Sequence, residues 1–204
     1  MSTTLEVFAE ITCPFAYVGL QHIVEHVEAG DHPTDIIVRA WPLEWVNGAG
    51  LAVDGVIEKS AALCEQLDID AFAGLDADQW PTTTVPAHRL TIAAYDVDAP
   101  TGLAVSLAIR HALFEEGRDI SDPDVLDAIA SAHGLSVDDA ADEAAVRAEY
   151  DLGVERGVKG SPHFWLGDDG FFCPALDLGR DDDNHLIARF DPEALTAFYS
   201  RLDR

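Results

Sequence analysis

Ile11-Thr12-Cys13-Pro14-Phe15-Ala16-Tyr17 is the stretch that decides how this chain folds. Ahead of it, Leu5 to Ile11 is an extended apolar run that reads as a buried strand. Behind it, Phe15, Val18, Ile23, Val24 and Val27 recur mostly at helical spacing as far as Glu28, and Gly30 follows as a stop. Cys13 therefore stands where a strand becomes a helix. Pro14 suits a first helical turn, whose N–H would find no partner in any case. A thiol at a helix N-terminus faces unpaired N–H groups and the positive end of the helix dipole, which favour the thiolate. The expectation is a Cys13 of depressed pKa that reacts readily.

Working outward, Asp35 to Pro42 reads as a second strand ended by the proline. Strand, helix and strand within so short a span form a βαβ unit with parallel strands. Leu43 to Gly50 is loop-like, and Val53 to Leu67 is a helix with Val56, Ile57, Leu63, Cys64 and Leu67 as its core side. Gln79 to Thr84 is a loop before helices at Val85–Tyr95 and Thr101–Glu116. Ser121 is the expected cap of a short helix ended by Gly134, and Asp138 to Arg156 is a helical region stopped by Gly157. After Gly157-Val158-Lys159-Gly160-Ser161-Pro162, the runs His163–Leu166 and Phe171–Cys173 flank a hairpin turn at Gly167–Gly170. Arg180 to Asn184 is a polar loop. Asp191 caps a last helix opened by Pro192, with Leu195, Phe198 and Leu202 as its apolar stripe. The order predicts an α/β chain: a four-stranded mixed sheet, βαβ then ββα, with an all-helical insertion. Residues 1–42 and 151–204 would form the sheet domain and 43–150 the insertion.

Charge narrows the function. Thirty-eight acidic residues face 12 basic ones, for a net charge of −26, and only Lys59 and Lys159 are lysines. Such a surface repels nucleic-acid phosphates and anionic lipid heads, so neither is an expected partner. No run approaches the roughly 18 apolar residues of a membrane span. Met1-Ser2-Thr3-Thr4-Leu5-Glu6 lacks the basic and apolar regions of a secretory signal, so a cytoplasmic location is expected. There Cys13, Cys64 and Cys173 would rest reduced. Their spacing makes no C-x-x-C pair, so no zinc or other metal site is expected. No Ser-His-Asp pattern, phosphate-cradling loop or dinucleotide fingerprint occurs, and Asp181-Asp182-Asp183 reads as a solvated loop.

Cys-Pro at the first helix start and Gly-Ser-Pro before the third strand resemble the DsbA-like branch of the thioredoxin fold. Thr12-Cys13-Pro14-Phe15-Ala16-Tyr17 matches its active-site motif. Ala87-His88-Arg89 and Phe114 to Asp122 resemble segments of the helical insertion in its FrnE-like members. Gly157 to Pro162 looks like the family's cis-proline loop. Two departures stand out. Ala16 occupies the position of the second cysteine of the dithiol members. Pro-Phe-Ala-Tyr after Cys13 resembles instead the 2-hydroxychromene-2-carboxylate isomerases and kappa-class glutathione transferases, which usually carry serine in place of Cys13 and tend to carry asparagine where Thr83 falls.

The resemblance implies a thiol-disulfide oxidoreductase acting through Cys13. With Ala16 in place, the attack by Cys13 must be resolved by a small thiol such as glutathione, or by Cys173, which is expected on the second hairpin strand near the Pro162 loop. Core packing is the plainer role for Cys173, and Cys64 is expected to be core. Pro14, Phe15, Ser161, Pro162 and His163 would line the substrate edge, with Pro162 cis and the Ser161 backbone presented to an extended peptide or to glutathione. No tightly bound cofactor is implied, only a low-molecular-weight thiol as co-substrate, and a homodimer is left open. Arg89, Arg156 and Lys159 are scarce cations for an anionic thiol. Phe15, Trp41, Trp45 and Trp80 line a pocket or simply fill the core, and His88 is structural. Two other functions remain open: a glutathione-dependent isomerase or transferase, and a non-catalytic binding module.

Overall fold

The computed structural model describes residues 3–30, 33–183 and 185–203. Met1 and Ser2 of the amino-terminal stretch and Asn184 of the polar loop lie outside the described residues. Strand β1 (Thr3–Ala9) is central, paired in parallel with β2 (Thr34–Ala40) and antiparallel with β3 (His163–Leu166). Strand β4 (Asp169–Phe172) completes a four-stranded mixed sheet in the order β2-β1-β3-β4. Helix α1 (Pro14–Ala29) makes the crossover from β1 to β2. Strand β1 is apolar on both faces because Leu5, Val7, Phe8 and Ala9 are all fully buried. It ends at Ala9 and does not reach Ile11. The Glu10 N–H leaves the ladder and donates to Ser161 Oγ at 2.8 Å, and Ile11 and Thr12 turn into α1.

The free edge of β2 is closed by side chains. The Tyr95 hydroxyl accepts from Val38 N at 2.8 Å and donates to Ile36 O at 3.0 Å, and Glu149 accepts from Ala40 N at 2.6 Å. These bonds satisfy groups that would otherwise invite another strand. They come from α4 (Val85–Val97) and α7 (Glu143–Arg156), which pack on β2 with α5 (Ala99–Phe114). Gly153 lets α7 approach closely: a Cβ there would lie 2.5 Å from the Trp41 ring.

Helix α3 spans Val53–Leu67 as expected, but Ile57 is 38% exposed and Cys64 and Leu67 are only half-buried, because this helix lies at the rim of the core. The Leu43–Gly50 segment is not all loop. Leu43–Asn47 forms a one-turn helix, α2, started on Pro42 and ended at Gly48 with φ 76°. Helix α6 (Pro123–Ala132) is capped by Asp122, which accepts from Asp124 N. Ser121, expected as that cap, bonds the Asp119 carboxylate instead. The region from Asp138 is broken: Asp142 caps α7 anew, accepting from Ala145 N at 2.9 Å, and Gly157 closes it in the left-handed region.

The hairpin after Pro162 turns more tightly than expected. Leu166 pairs with Asp169, leaving Gly167 and Asp168 as a two-residue loop with Gly167 at φ 60°. Cys173 lies past the end of β4, not on it. A second hairpin, absent from the sequence reading, follows: β5 (Leu176–Arg180) and β6 (Leu186–Phe190), with Asp181, Asp182 and Asp183 of the polar run after β5. Helix α8 (Pro192–Leu202) is capped by Asp191 and buries Leu195, Phe198 and Leu202. Among the described residues no helix is long and apolar enough to cross a membrane, and no group of His, Cys, Asp and Glu could hold a metal ion.

Candidate active site

The site forms where the end of β1, the start of α1 and the loop before β3 meet. Cys13 is the N-cap residue of α1, with Pro14 next, and its carbonyl accepts from Ala16 N and Tyr17 N at 3.1 Å each. The Ser161–Pro162 peptide bond is cis. The Cys13 thiol donates to Ser161 O at 3.2 Å. The next carbonyl, Pro162 O, accepts from Cys173 N at 3.1 Å. One dipeptide is thus held by both cysteines. Cys173 has φ 45°, uncommon for a residue with a side chain, and its carbonyl accepts from Leu176 N as the chain folds back toward β5.

Cys13 is only 4% exposed. Burial pushes its thiol above the ordinary value, outweighing the Ala16 N–H and the contact with Ser161, and the Glu10 carboxylate adds to the rise. The depressed pKa expected from the helix N-terminus is therefore overturned. The loop that covers the sulfur removes the water a thiolate needs, and Cys13 makes no side-chain cap bond to the helix N–H groups. Cys173 is pushed up to about 12, first by burial and then by the charge of Cys13. The alkylation rate of Cys13 by iodoacetamide should consequently keep rising past the range where a free thiol levels off. A profile centred at or below that of a free thiol would contradict this.

Beneath the thiol lie two charged residues not singled out in the sequence. Glu10 is 1% exposed and accepts from Thr12 N at 3.0 Å, Leu43 N at 2.7 Å and the Thr84 hydroxyl at 3.4 Å. Burial raises its pKa against these bonds. Arg110, 1% exposed, donates to Ser106 O at 3.0 Å, Ser106 Oγ at 2.6 Å and Ala9 O at 3.4 Å. Burial lowers it to about 10, opposed by Glu10, Tyr95 and Cys13. The signal was available: each is a lone charge inside an apolar run, Phe8 to Ile11 and Leu103 to Phe114.

The remaining candidates separate. Pro162 and His163 are buried at the loop, and His163 Nδ1 accepts from Lys159 N at 3.2 Å. Desolvation, with Lys159 nearby, lowers the His163 pKa. Phe15 is half-buried on the first turn of α1. Arg89 donates to Ala141 O, and Arg156 pairs with Glu6 at 2.5 Å, so both cations are engaged away from Cys13. Trp41 stacks on Tyr150, Trp45 lies under Arg147, and Trp80 donates to Leu51 O; they pack the helices. Thr83 donates to Glu44 at 2.8 Å. His88 is buried, and desolvation lowers its pKa to about 3, so it is neutral near pH 7. The Asp181 carboxylate accepts from Asp183 N and His185 N within its own turn.

Solved structures of other proteins share this fold. The cytosolic disulfide reductase DsbM from Pseudomonas aeruginosa is 19% identical, with a TM-score of 0.62 over 97% of each chain. The same reductase determined with GSH is 20% identical, with a TM-score of 0.60 over 82% of this chain and 88% of that one. A 2-hydroxychromene-2-carboxylate isomerase is 15% identical, with a TM-score of 0.60 over 83% and 88%. At these identities the likeness is one of fold. No curated protein matches the sequence. The family description "DSBA-like thioredoxin domain" matches residues 4–180, and the chain belongs to that family.

Proposed function

We propose that this protein is a thiol-disulfide oxidoreductase in which Cys13 attacks and Cys173 resolves, with a low-molecular-weight thiol as the reductant. The supporting observation is that both cysteines are tied to the same dipeptide, Cys13 to Ser161 O and Cys173 to Pro162 O. The Cys13 thiolate attacks a substrate disulfide, forming a mixed disulfide and expelling one substrate thiolate, which takes a proton. Cys173, as thiolate, then attacks the Cys13 sulfur. A Cys13–Cys173 bond forms and the second substrate thiol leaves.

Two small thiols restore the dithiol. The first attacks the Cys13 sulfur and frees Cys173; the second attacks the small-molecule sulfur and frees Cys13 with release of the small-molecule disulfide. One substrate disulfide is reduced for each small disulfide formed. Because burial holds both thiols protonated at rest, turnover rises with pH. In this reading residues 1–42 and 151–204 carry the chemistry, residues 43–150 form the helical part beside it, and the reaction belongs in a reducing cytoplasm. Peptide mass spectrometry after mild oxidation tests it. A Cys13–Cys173 bridge supports the reading, and mixed disulfides alone overturn it.

A further inference from the structure

Asn47 ends α2 and Gly48 follows it. The chain has one other asparagine, Asn184, and that one precedes a histidine. An asparagine before glycine can lose its side-chain amide without an enzyme. The backbone nitrogen of the glycine gives up its proton and attacks the asparagine Cγ. A Cγ–N bond closes a succinimide ring, and the side-chain nitrogen leaves as ammonia. Water then opens the ring at either carbonyl, giving aspartate or isoaspartate. Glycine favours the attack because it has no Cβ to crowd the nitrogen or to restrict the approach.

A folded backbone suppresses this reaction by fixing the dihedrals and by occupying the N–H. Neither restraint operates at Gly48. Helix α2 is five residues long and has no side-chain cap at Pro42. A single turn is marginal, and its end frays. Asn47, Gly48, Ala49 and Gly50 are all exposed. The Gly48 N–H makes no bond back to the helix, whereas the Gly157 N–H that closes α7 donates to Gly153 O and Val154 O. A Cβ built on Gly48 or Gly50 would meet nothing within 4 Å, so the segment is free to move. The other end of α2 is fastened. Leu43 N donates to the buried Glu10, and Glu44 accepts from the Thr83 hydroxyl at 2.8 Å and from Thr84 N at 3.1 Å.

We propose that Asn47–Gly48 is a self-modifying site of the folded protein, and that the carboxylate it gains loosens α2. The overall change takes up one water and releases one ammonia. The new negative charge falls at the C-terminal end of a helix, where the dipole disfavours it. It also falls three residues after Glu44, where like charges share a helix face. Isoaspartate adds a methylene to the main chain at the same point. Because α2 begins on Glu10 and the Thr83–Thr84 segment, the change reaches the residues beneath Cys13 without involving the thiol.

The test incubates the whole protein near neutral pH in heavy-oxygen water, then digests it with trypsin in ordinary water, so that only conversion before digestion carries the label. Asn47 lies on the tryptic peptide 40–59 and Asn184 on 181–189. The reference is the 40–59 peptide freed first and incubated alone. Opening a frayed turn costs little. Asn47 in the folded protein should therefore convert within about tenfold of the free-peptide rate, the equivalent of ~1.4 kcal/mol, and ahead of Asn184. Gly48→Ala should slow the conversion in protein and peptide alike. A folded-protein rate further below the free peptide than that, or no faster than Asn184, overturns the site. Hydrogen exchange of Asn47→Asp tests the consequence. Protection of the Leu43 amide, which is bonded to Glu10, should fall several-fold, and unchanged protection overturns the loosening of α2.

Discussion

Cys13→Ser should abolish disulfide reduction, lowering the rate on the order of 1,000-fold or more, while the protein stays folded. A serine hydroxyl is not ionised at working pH and cannot form the mixed disulfide. Neither remaining cysteine replaces it. Cys173 is 7% exposed with its thiol pushed up to about 12, and Cys64 sits half-buried on α3. Serine keeps a donor for Ser161 O, so the stability change should stay within about 1 kcal/mol. Reduction of a protein disulfide such as insulin, monitored with circular dichroism, separates loss of chemistry from loss of fold. Retained glutathione conjugation in Cys13→Ser would instead favour the isomerase or transferase chemistry that the Pro-Phe-Ala-Tyr motif resembles.

Glu10→Ala should lower the unfolding free energy by about 3–5 kcal/mol. The Glu10 carboxylate gathers Thr12 N, Leu43 N and the Thr84 hydroxyl from three segments: the turn before α1, the start of α2 and the end of the loop before α4. Removal leaves buried donors without an acceptor, and it strips Arg110 of the carboxylate that most favours its charged form. Glu10→Gln should recover part of the loss, since one amide oxygen can still accept. Urea unfolding measures both. A Glu10→Ala protein within 1 kcal/mol of wild type, by that order-of-magnitude scale, would mean the carboxylate is not the tie the geometry describes.

Much of the fold was legible because its signals are local. The Pro14 start and Gly30 stop of α1, the Asp191-Pro192 start of α8 and the Val53–Leu67 helix need only spacing and caps. What was missed depends on partners distant in sequence. The β5–β6 hairpin has Gly179 and charged residues within short strands, and it is held by Gln66 from more than a hundred residues away. Cys173 looked like a strand residue because Phe171-Phe172-Cys173 is continuous and apolar, yet the pairing stops at Phe172.

At the site, the sequence singled out Cys13, Ser161 and Pro162, which the fold brings together, but it pointed to a thiolate where burial raises the thiol. A helix N-terminus argues for a thiolate, whereas the covering loop argues for a thiol, and only the packed structure shows that burial wins.

The central claim is that Cys13 and Cys173 act as one redox pair across Ser161–Pro162, and one measurement reaches it directly. The protein is oxidised mildly, its free thiols are alkylated, and its peptides are analysed by mass spectrometry without reduction. The prediction is a Cys13–Cys173 bridged peptide as the main oxidised species, with Cys64 recovered alkylated. Recovery of Cys13 only in mixed disulfides, with Cys173 alkylated, would contradict it.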